Sequence, residues 1–129
     1  MKLKDTKPEI YERLKKHFDI DWDRGIIITY GDNVYCKYQL SEAKIIHEAT
    51  HCEQHRVYGV EKWWDRYIED IPFRLSQEVE AYKNEANFIR KTVKDRNLRF
   101  QMLRKIYIDL SSPIYGSIVT ASEAEKLLK

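Results

Sequence analysis

The amino-acid sequence predicts an α+β fold that is mostly helical, with one β-hairpin before its central helix. Its 129 residues and 43% apolar content suffice for one hydrophobic core, which predicts a single domain over residues 1–129. Only four glycines and three prolines are present, and this disfavours a turn-rich sandwich or barrel. Charged residues make up 34% and are interspersed with aromatic ones, as in a folded helical domain rather than a disordered chain.

Charge and cysteine content set expectations about partners and compartment. The formal net charge of +2 calls for neither nucleic acid nor an acidic partner. The first 18 residues contain no apolar segment of the kind found in secretion signals, and the longest apolar run, residues 26–28, is too short to cross a bilayer. Cys36 and Cys52 form no C-x-x-C pair. We therefore expect a cytoplasmic protein without a membrane partner.

The first half of the chain contains the patterns of a short helix and a hairpin. Apolar side chains recur every four positions in residues 8–18, which predicts an amphipathic helix. Residues 26–30 and 34–38 are rich in β-branched and aromatic side chains, and a Gly-Asp-Asn turn separates them. This arrangement predicts a β-hairpin.

Helix-capping residues divide the rest of the chain. Ser41 is placed to cap a helix over residues 41–58 that ends at Gly59. A Trp-rich helix over residues 60–69 is predicted to be broken at Pro72.

Three further segments complete the predicted layout. A long helix is expected over residues 76–95, capped by the serine at its start, and another over residues 98–110. Residues 111–116 are predicted to be irregular. Thr120 and Glu123 have the spacing of a capping box for a short last helix.

Three of the four histidines lie within nine residues, and two of them form an H-E-x-x-H motif with Glu48. Residues four apart on a helix lie on one face about a turn apart, so His47 and His51 can bind one Zn²⁺. Glu48 projects about 100° away, where it can act as general base toward a water on the metal. His55 is about 12 Å from His47 along a straight helix, too far for the same ion. A metzincin would have a histidine in place of Val57.

The third zinc ligand must come from another part of the chain, and the long helix offers Glu78, Glu80 and Glu85. A helical wheel places Glu80 on the polar face but Glu78 and Glu85 within the apolar arc. A buried carboxylate needs a metal, a cation or hydrogen bonds. We therefore favour Glu78 as the ligand and Glu85 as the partner that orients a ligating histidine. The alternative is an ion pair of Glu78 with a nearby Arg or Lys.

These residues together resemble the gluzincins, which carry H-E-x-x-H on one helix and a glutamate ligand on a later one. Residues 77–82 are similar to the gluzincin pattern E-x-x-A-D, with Glu78 at the ligand position and Tyr82 in place of the acidic residue. Residues 47–55 resemble the H-E-x-x-H-x-x-Q-Q form of small metallopeptidases, with His55 in place of the second Gln. Many of those proteins are encoded by phages and prophages or accompany secretion and toxin systems. The resemblance covers about residues 26–90. It implies a minimal zincin-like domain that hydrolyses peptides or proteins.

The resemblance also implies a use for the hairpin. Gluzincins bind an extended substrate along an edge strand before the active-site helix, and residues 34–38 hold that place here. Substrate would then add to the sheet as a strand. A purely structural hairpin is the alternative, and both readings stay open. For the oxyanion of the transition state, the candidate donors are His55, Tyr58 and Tyr115.

The function expected from the sequence is zinc-dependent peptide-bond hydrolysis, with His47, His51 and Glu78 as ligands and Glu48 as base. The first alternative is a zincin-fold binding module with little or no catalytic activity. The second is nucleic-acid binding through the basic helices of residues 90–105, although such clusters are more often solvated helix faces. The basic residues concerned are Arg90, Lys91, Lys94, Arg96, Arg99, Arg104 and Lys105.

Overall fold

The structure is a computed structural model that describes residues 1–129, and it is mostly helical with one small sheet. This confirms the predicted α+β class. The strands are β1 (Lys2–Lys4), β2 (Ile27–Tyr30) and β3 (Asn33–Cys36). The helices are α1 (Tyr11–Lys15), α2 (Glu42–Tyr58), α3 (Val60–Glu69), α4 (Ile71–Thr92), α5 (Arg96–Leu110) and α6 (Ala121–Leu128). Single 3₁₀ turns cover Trp22–Arg24 and Pro113–Tyr115.

The sheet contains the predicted hairpin and one strand that the sequence did not indicate. Its order is β1-β3-β2, with β3 parallel to β1 and antiparallel to β2. Strand β1 contains only three residues, two of them lysines, and is exposed throughout, so it is shorter than the runs of about four to eight residues whose alternation predicts a strand. Because β1 covers the outer side of β3, residues 34–38 are not an edge strand. That prediction is wrong, and the free edge beside α2 belongs to β2.

The hairpin turn between β2 and β3 is hydrogen-bonded to α2. Gly31 is the first of the two residues between β2 and β3 and has φ 65°, a conformation that glycine adopts without strain. Its backbone N–H donates to His55 Nδ1 at 2.9 Å. His55 is buried, and its ring packs against Trp63 with centroids 4.3 Å apart. His55 therefore anchors the hairpin on α2.

The helix boundaries agree with the sequence in α2, α3 and α6 and differ in α4. Asp70 rather than Ser76 caps α4, accepting from the backbone N–H of Phe73 at 3.1 Å. Pro72 lies in the first turn of α4, where the backbone N–H that proline lacks would have no partner within the helix. The boundary between α3 and α4 is therefore at Asp70 and not at Pro72. The expected start of this helix at Ser76 is therefore wrong. Helix α1 is shorter than predicted, and Asp95 caps α5.

Two apolar clusters lie on either side of the contact between α2 and α4, the most extensive contact between elements. One cluster contains Trp63, Trp64 and Tyr67 of α3 with apolar side chains of α1 and β2. The other joins α4 to α5 and α6. Between α2 and α4 themselves, the buried side chains are mainly histidines, glutamates and glutamines. No helix is both long enough and apolar enough to cross a membrane.

The buried His55 predicts a loss of stability in acid. Burial, aided by the nearby charge of His51, lowers the pKa of His55 to about 3. In the unfolded chain this histidine has a pKa of about 6.5, so as the pH falls the unfolded state binds a proton that the folded state does not. The contribution of neutral His55 to stability is therefore complete above about pH 6.5 and is lost as the pH falls toward 3. Between pH 7 and pH 5, the difference in unfolding free energy between wild type and His55→Gln should shrink by about 2 kcal/mol. Urea titrations in EDTA measure it, and an unchanged difference would contradict the prediction.

Candidate metal centre

Helices α2 and α4 bring three potential ligand atoms together. His47 and His51 lie one turn apart on the side of α2 that faces α4, and their Nε2 atoms are 3.2 Å apart. Glu78 projects from α4, and its Oε1 is 3.3 Å from the Nε2 atoms of both histidines. All three side chains are at least 96% buried, since their exposed fractions are 2%, 4% and 3%.

The spacing of these atoms fits a tetrahedrally bound ion. Zn²⁺ with bonds of about 2.0–2.1 Å places neighbouring ligand atoms about 3.3–3.4 Å apart. Glu78 Oε1 is buried and has no hydrogen-bond donor, which is costly for a carboxylate unless a cation meets it. The group of His47, His51 and Glu78 could therefore hold a metal ion.

In each of these three side chains, the second polar atom, which is not part of the potential ligand group, has its own hydrogen-bond partner. His47 Nδ1 donates to Glu85 Oε1 at 2.9 Å, and His51 Nδ1 donates to Gln54 Oε1 at 2.8 Å. On the third side chain, the Tyr67 hydroxyl donates to Glu78 Oε2 at 2.6 Å. When the two imidazoles are neutral, these bonds favour the tautomer whose Nε2 lone pair faces the other potential ligand atoms.

Glu85 lies where the sequence placed it, beside a histidine and away from the ligand position. It also accepts from Lys44 Nζ at 3.1 Å. The pKa of Glu85 is lowered because the hydrogen bond from His47 and the charge of Lys44 outweigh the effect of burial. Tyr82, which replaces the acidic residue of the gluzincin pattern, packs its ring edge-on against His47 with centroids 4.3 Å apart.

The surrounding carboxylates make this position attractive for positive charge. Burial opposes protonation of His47, but the negative charges of Glu48 and Glu78 and the hydrogen bond to Glu85 prevail and raise its pKa to about 9. The pKa of Glu78 is lowered despite its burial, because both histidines face it. A divalent cation bound by the neutral histidines would supply the same carboxylates with positive charge. Protons and a metal ion therefore compete for the site.

Glu48 lies beside the ligand group without joining it. Its Oε1 accepts from the Thr29 hydroxyl of β2 at 3.1 Å. Its Oε2 lies 3.8 Å from His47 Nε2 and is free of hydrogen bonds to the protein. One oxygen is thus held by the sheet while the other faces the position where an ion and its water would sit.

The group opens into a cleft of about 390 Å³, which His47, Glu48, His51 and Glu78 line together with β2 and the 3₁₀ turn Pro113–Tyr115. Tyr115 is therefore part of the cleft, and its hydroxyl is 2.6 Å from that of Tyr82.

The structure does not bring the other two oxyanion candidates to the cleft. The ring of Tyr58 packs against Phe73 with centroids 5.3 Å apart, and its side chain is 42% exposed. His55 is occupied by Gly31 and Trp63, as described above. Neither lines the cleft.

Sequence reasoning missed three residues that hold the site together: Gln54, Tyr67 and Thr29. Gln54 lies three residues after His51 on α2, a spacing at which helix side chains contact each other, so the sequence contained a signal for it. Its amide nitrogen donates to Gln77 O at 3.1 Å, which fixes the oxygen toward His51. Tyr67 and Thr29 reach the site only through tertiary packing, and no local pattern indicates them.

No protein-family model, curated protein sequence or solved structure matches the chain.

The hydrogen bond from His51 to Gln54 predicts a change in metal affinity. Replacing Gln54 by Met keeps the side-chain volume but removes the acceptor, so His51 loses its orientation. The dissociation constant for Zn²⁺ should rise about 10- to 100-fold. Competition with a chromophoric chelator measures it, with Glu53→Gln on the exposed side of α2 as the control. Equal affinities of wild type and the Gln54 variant would refute this role.

Proposed function

We propose that this protein is a zinc-dependent peptidase of the gluzincin type that acts on peptides or proteins in the cytoplasm. The observation that carries the proposal is the buried triangle of His47, His51 and Glu78 in the lining of a cleft, with Glu48 beside it. Three protein ligands leave a fourth position for water, as catalytic zinc sites require. A bound Zn²⁺ would lower the pKa of that water and polarise the substrate carbonyl.

Glu48 is the proposed proton carrier. The free Oε2 accepts a proton from the water as the water oxygen attacks the carbonyl carbon. Glu48 then returns this proton to the amine nitrogen as the C–N bond breaks. The hydrogen bond from Thr29 fixes the carboxylate plane during both transfers.

Tyr115 is the proposed donor to the carbonyl oxygen. Tyr82 is only 2% exposed, and the hydroxyl of Tyr115 is its one hydrogen-bond partner. Either hydroxyl can donate in this bond, and we propose that Tyr82, the more buried of the two residues, is the donor. The proton of Tyr115 is then free to point into the cleft, where it stabilises the developing oxyanion.

The free edge of β2 is the proposed site for the substrate backbone. Tyr30 and Asn33 flank a two-residue turn and form a hydrogen-bonded pair. Hydrogen-bonded and non-bonded pairs alternate along an antiparallel ladder, so the backbone N–H and C=O groups of Ile27 and Thr29 point away from β3. The carbonyl of Thr29 already accepts from the indole of Trp64 at 3.2 Å. Ile27 thus offers the backbone N–H and C=O to which an extended peptide can pair.

The two alternatives differ from this proposal in what they require. A binding module would keep the metal group but make no use of Glu48 Oε2. Nucleic-acid binding would rely on the basic side chains of residues 90–105, of which Arg90 and Arg99 donate to the backbone carbonyls of Leu128 and Val93. These two arginines already serve the fold, and no structural observation favours nucleic acid.

The role of Glu48 predicts separate effects on catalysis and metal binding. In Glu48→Gln the proton acceptor is lost, so kcat should fall by at least about 100-fold. Zinc should remain bound at one ion per chain because Glu48 is not a ligand. Cleavage of unfolded proteins and metal analysis of the same samples measure both. Absence of cleavage by zinc-loaded wild type over diverse unfolded proteins would instead support the binding module.

The hydrogen bond from Thr29 to Glu48 predicts an effect on kcat alone. Thr29→Val preserves shape but leaves Glu48 Oε1 without its donor, so kcat should fall about tenfold while KM and zinc affinity stay unchanged. Thr29→Ser retains the hydroxyl and should recover most of the rate. Steady-state kinetics on one peptide test this, and a Ser variant as slow as the Val variant would contradict it.

A further inference from the structure

Arg74, in the first turn of α4, is a buried cation that the chemistry above does not use. Its side chain is only 7% exposed, and each of its three nitrogens donates to a backbone carbonyl. Nε donates to Tyr67 O at 2.8 Å, Nη2 to Ile68 O at 2.7 Å and Nη1 to Tyr115 O at 2.9 Å. Because burying a guanidinium is costly, these bonds are needed to keep its charge in the interior.

Two of these bonds fix Arg74 to the end of α3. Carbonyls in the last turn of a helix have no donor within that helix. The residue four positions after Ile68 is Pro72, which has no backbone N–H to donate. Arg74 supplies the donor instead, and it does the same for Tyr67. The guanidinium also lies over the ring of Phe18, 4.7 Å from its centroid, so the planar group is held in one orientation.

The third bond reaches the segment that carries Tyr115. The backbone hydrogen bonds of residues 113–119 are local to this segment and Ser112. Only Tyr115 connects the segment by hydrogen bonds to another helix, through its carbonyl to Arg74 and its hydroxyl to Tyr82. A three-residue 3₁₀ turn has weak hydrogen bonds of its own, so the orientation of this turn depends on these two contacts.

Gly116 allows the guanidinium to approach this turn. Its φ of 95° is one that glycine adopts without strain. A Cβ at this position would lie 3.1 Å from Arg74 Nη1, closer than an ordinary van der Waals contact. Any larger residue would therefore displace either the guanidinium or the turn.

We propose that Arg74 is a positioning residue that fixes the Tyr115 hydroxyl in the cleft by linking the 3₁₀ turn Pro113–Tyr115 to the end of α3. Arg74 does not line the cleft, so it acts through Tyr115 and not on a substrate. A donor that is held in place before the reaction stabilises an oxyanion better than a mobile one. This role in catalysis rests on the proposed peptidase function, whereas the placement of Tyr115 can be measured without a substrate.

Kinetics of the full-length, zinc-loaded protein test whether Arg74 acts through Tyr115. Arg74→Lys keeps the charge, but one ammonium group cannot span three carbonyls, so kcat should fall about tenfold. KM should stay unchanged, because the oxyanion forms only in the transition state. Tyr115→Phe removes the donor and should lower kcat about 100-fold. The double variant should be no slower than Tyr115→Phe alone.

A purely structural role of Arg74 predicts a different result. Its effect would then multiply with that of Tyr115→Phe, and the double variant would be about tenfold slower than Tyr115→Phe. That result would overturn the proposal, as would a Tyr115→Phe variant as fast as wild type.

The placement of Tyr115 is measured by NMR without any cleavage. In protein with ring-labelled tyrosine, the Tyr115 signal is identified by its absence from Tyr115→Phe. This signal should shift in Arg74→Lys, because the ring leaves its place beside Tyr82. An unchanged signal would overturn the proposal even if wild type cleaves peptides. A shifted signal in a protein that cleaves nothing would support the positioning role and contradict the peptidase function.

A matched pair of glycine substitutions takes the place of Arg74→Lys if that variant loses its helical circular dichroism. Gly116→Ala separates the turn from the guanidinium and should reproduce both the lower kcat and the shifted Tyr115 signal. Gly59→Ala adds the same methyl group at another positive φ, 86°, where a Cβ would have no atom within 4 Å. Gly59 lies outside the cleft, so this control should change neither quantity. Equal results for the two variants would refute the proposal.

Discussion

The contact between α2 and α4 buries three carboxylates and two imidazoles, and the rest of the structure is arranged around that charge. Carboxylates removed from water are destabilising unless cations or hydrogen-bond donors meet them. Glu85 receives Lys44 and His47, whereas Glu78 Oε1 has no donor at all. A positive charge between the histidines resolves this imbalance. The stability of the helix pair and the capacity to bind a cation therefore have one physical origin.

Each neighbouring element supplies one polar group to this buried cluster. Helix α3 supplies the Tyr67 hydroxyl, and β2 supplies the Thr29 hydroxyl. Gln54 on α2 links His51 to the backbone of α4 through Gln77. Since these partners lie on different elements, the orientation of the three potential ligands depends on the folding of the whole unit. In the proposed peptidase, such preorganisation would limit the reorganisation needed during catalysis.

The histidine stripe of α2 shows how one periodic pattern serves two purposes. His47 and His51 face α4 and the carboxylates, whereas His55, one turn further, accepts from the hairpin at Gly31. The carboxylates raise the pKa of His47 to about 9, and the aromatic surroundings of His55 lower its pKa to about 3. The groups packed against each histidine thus decide whether its imidazole carries a positive charge. Spacing along the helix keeps His55 out of the group of His47, His51 and Glu78 that could hold an ion.

The sequence by itself determined the helical class, the capped α2 with its paired histidines, and the choice of Glu78 over Glu80, because these depend on the 3.6-residue period of a helix. It also contained the spacing that links Gln54 to His51. Only the tertiary structure decided that β2 and not β3 has the free edge, because a polar three-residue strand pairs with β3. Thr29 and Tyr67 likewise reach the buried cluster from segments distant in sequence. Local periodicity specifies which face of an element is buried, but the neighbour that this face meets is decided by the packing of the whole chain.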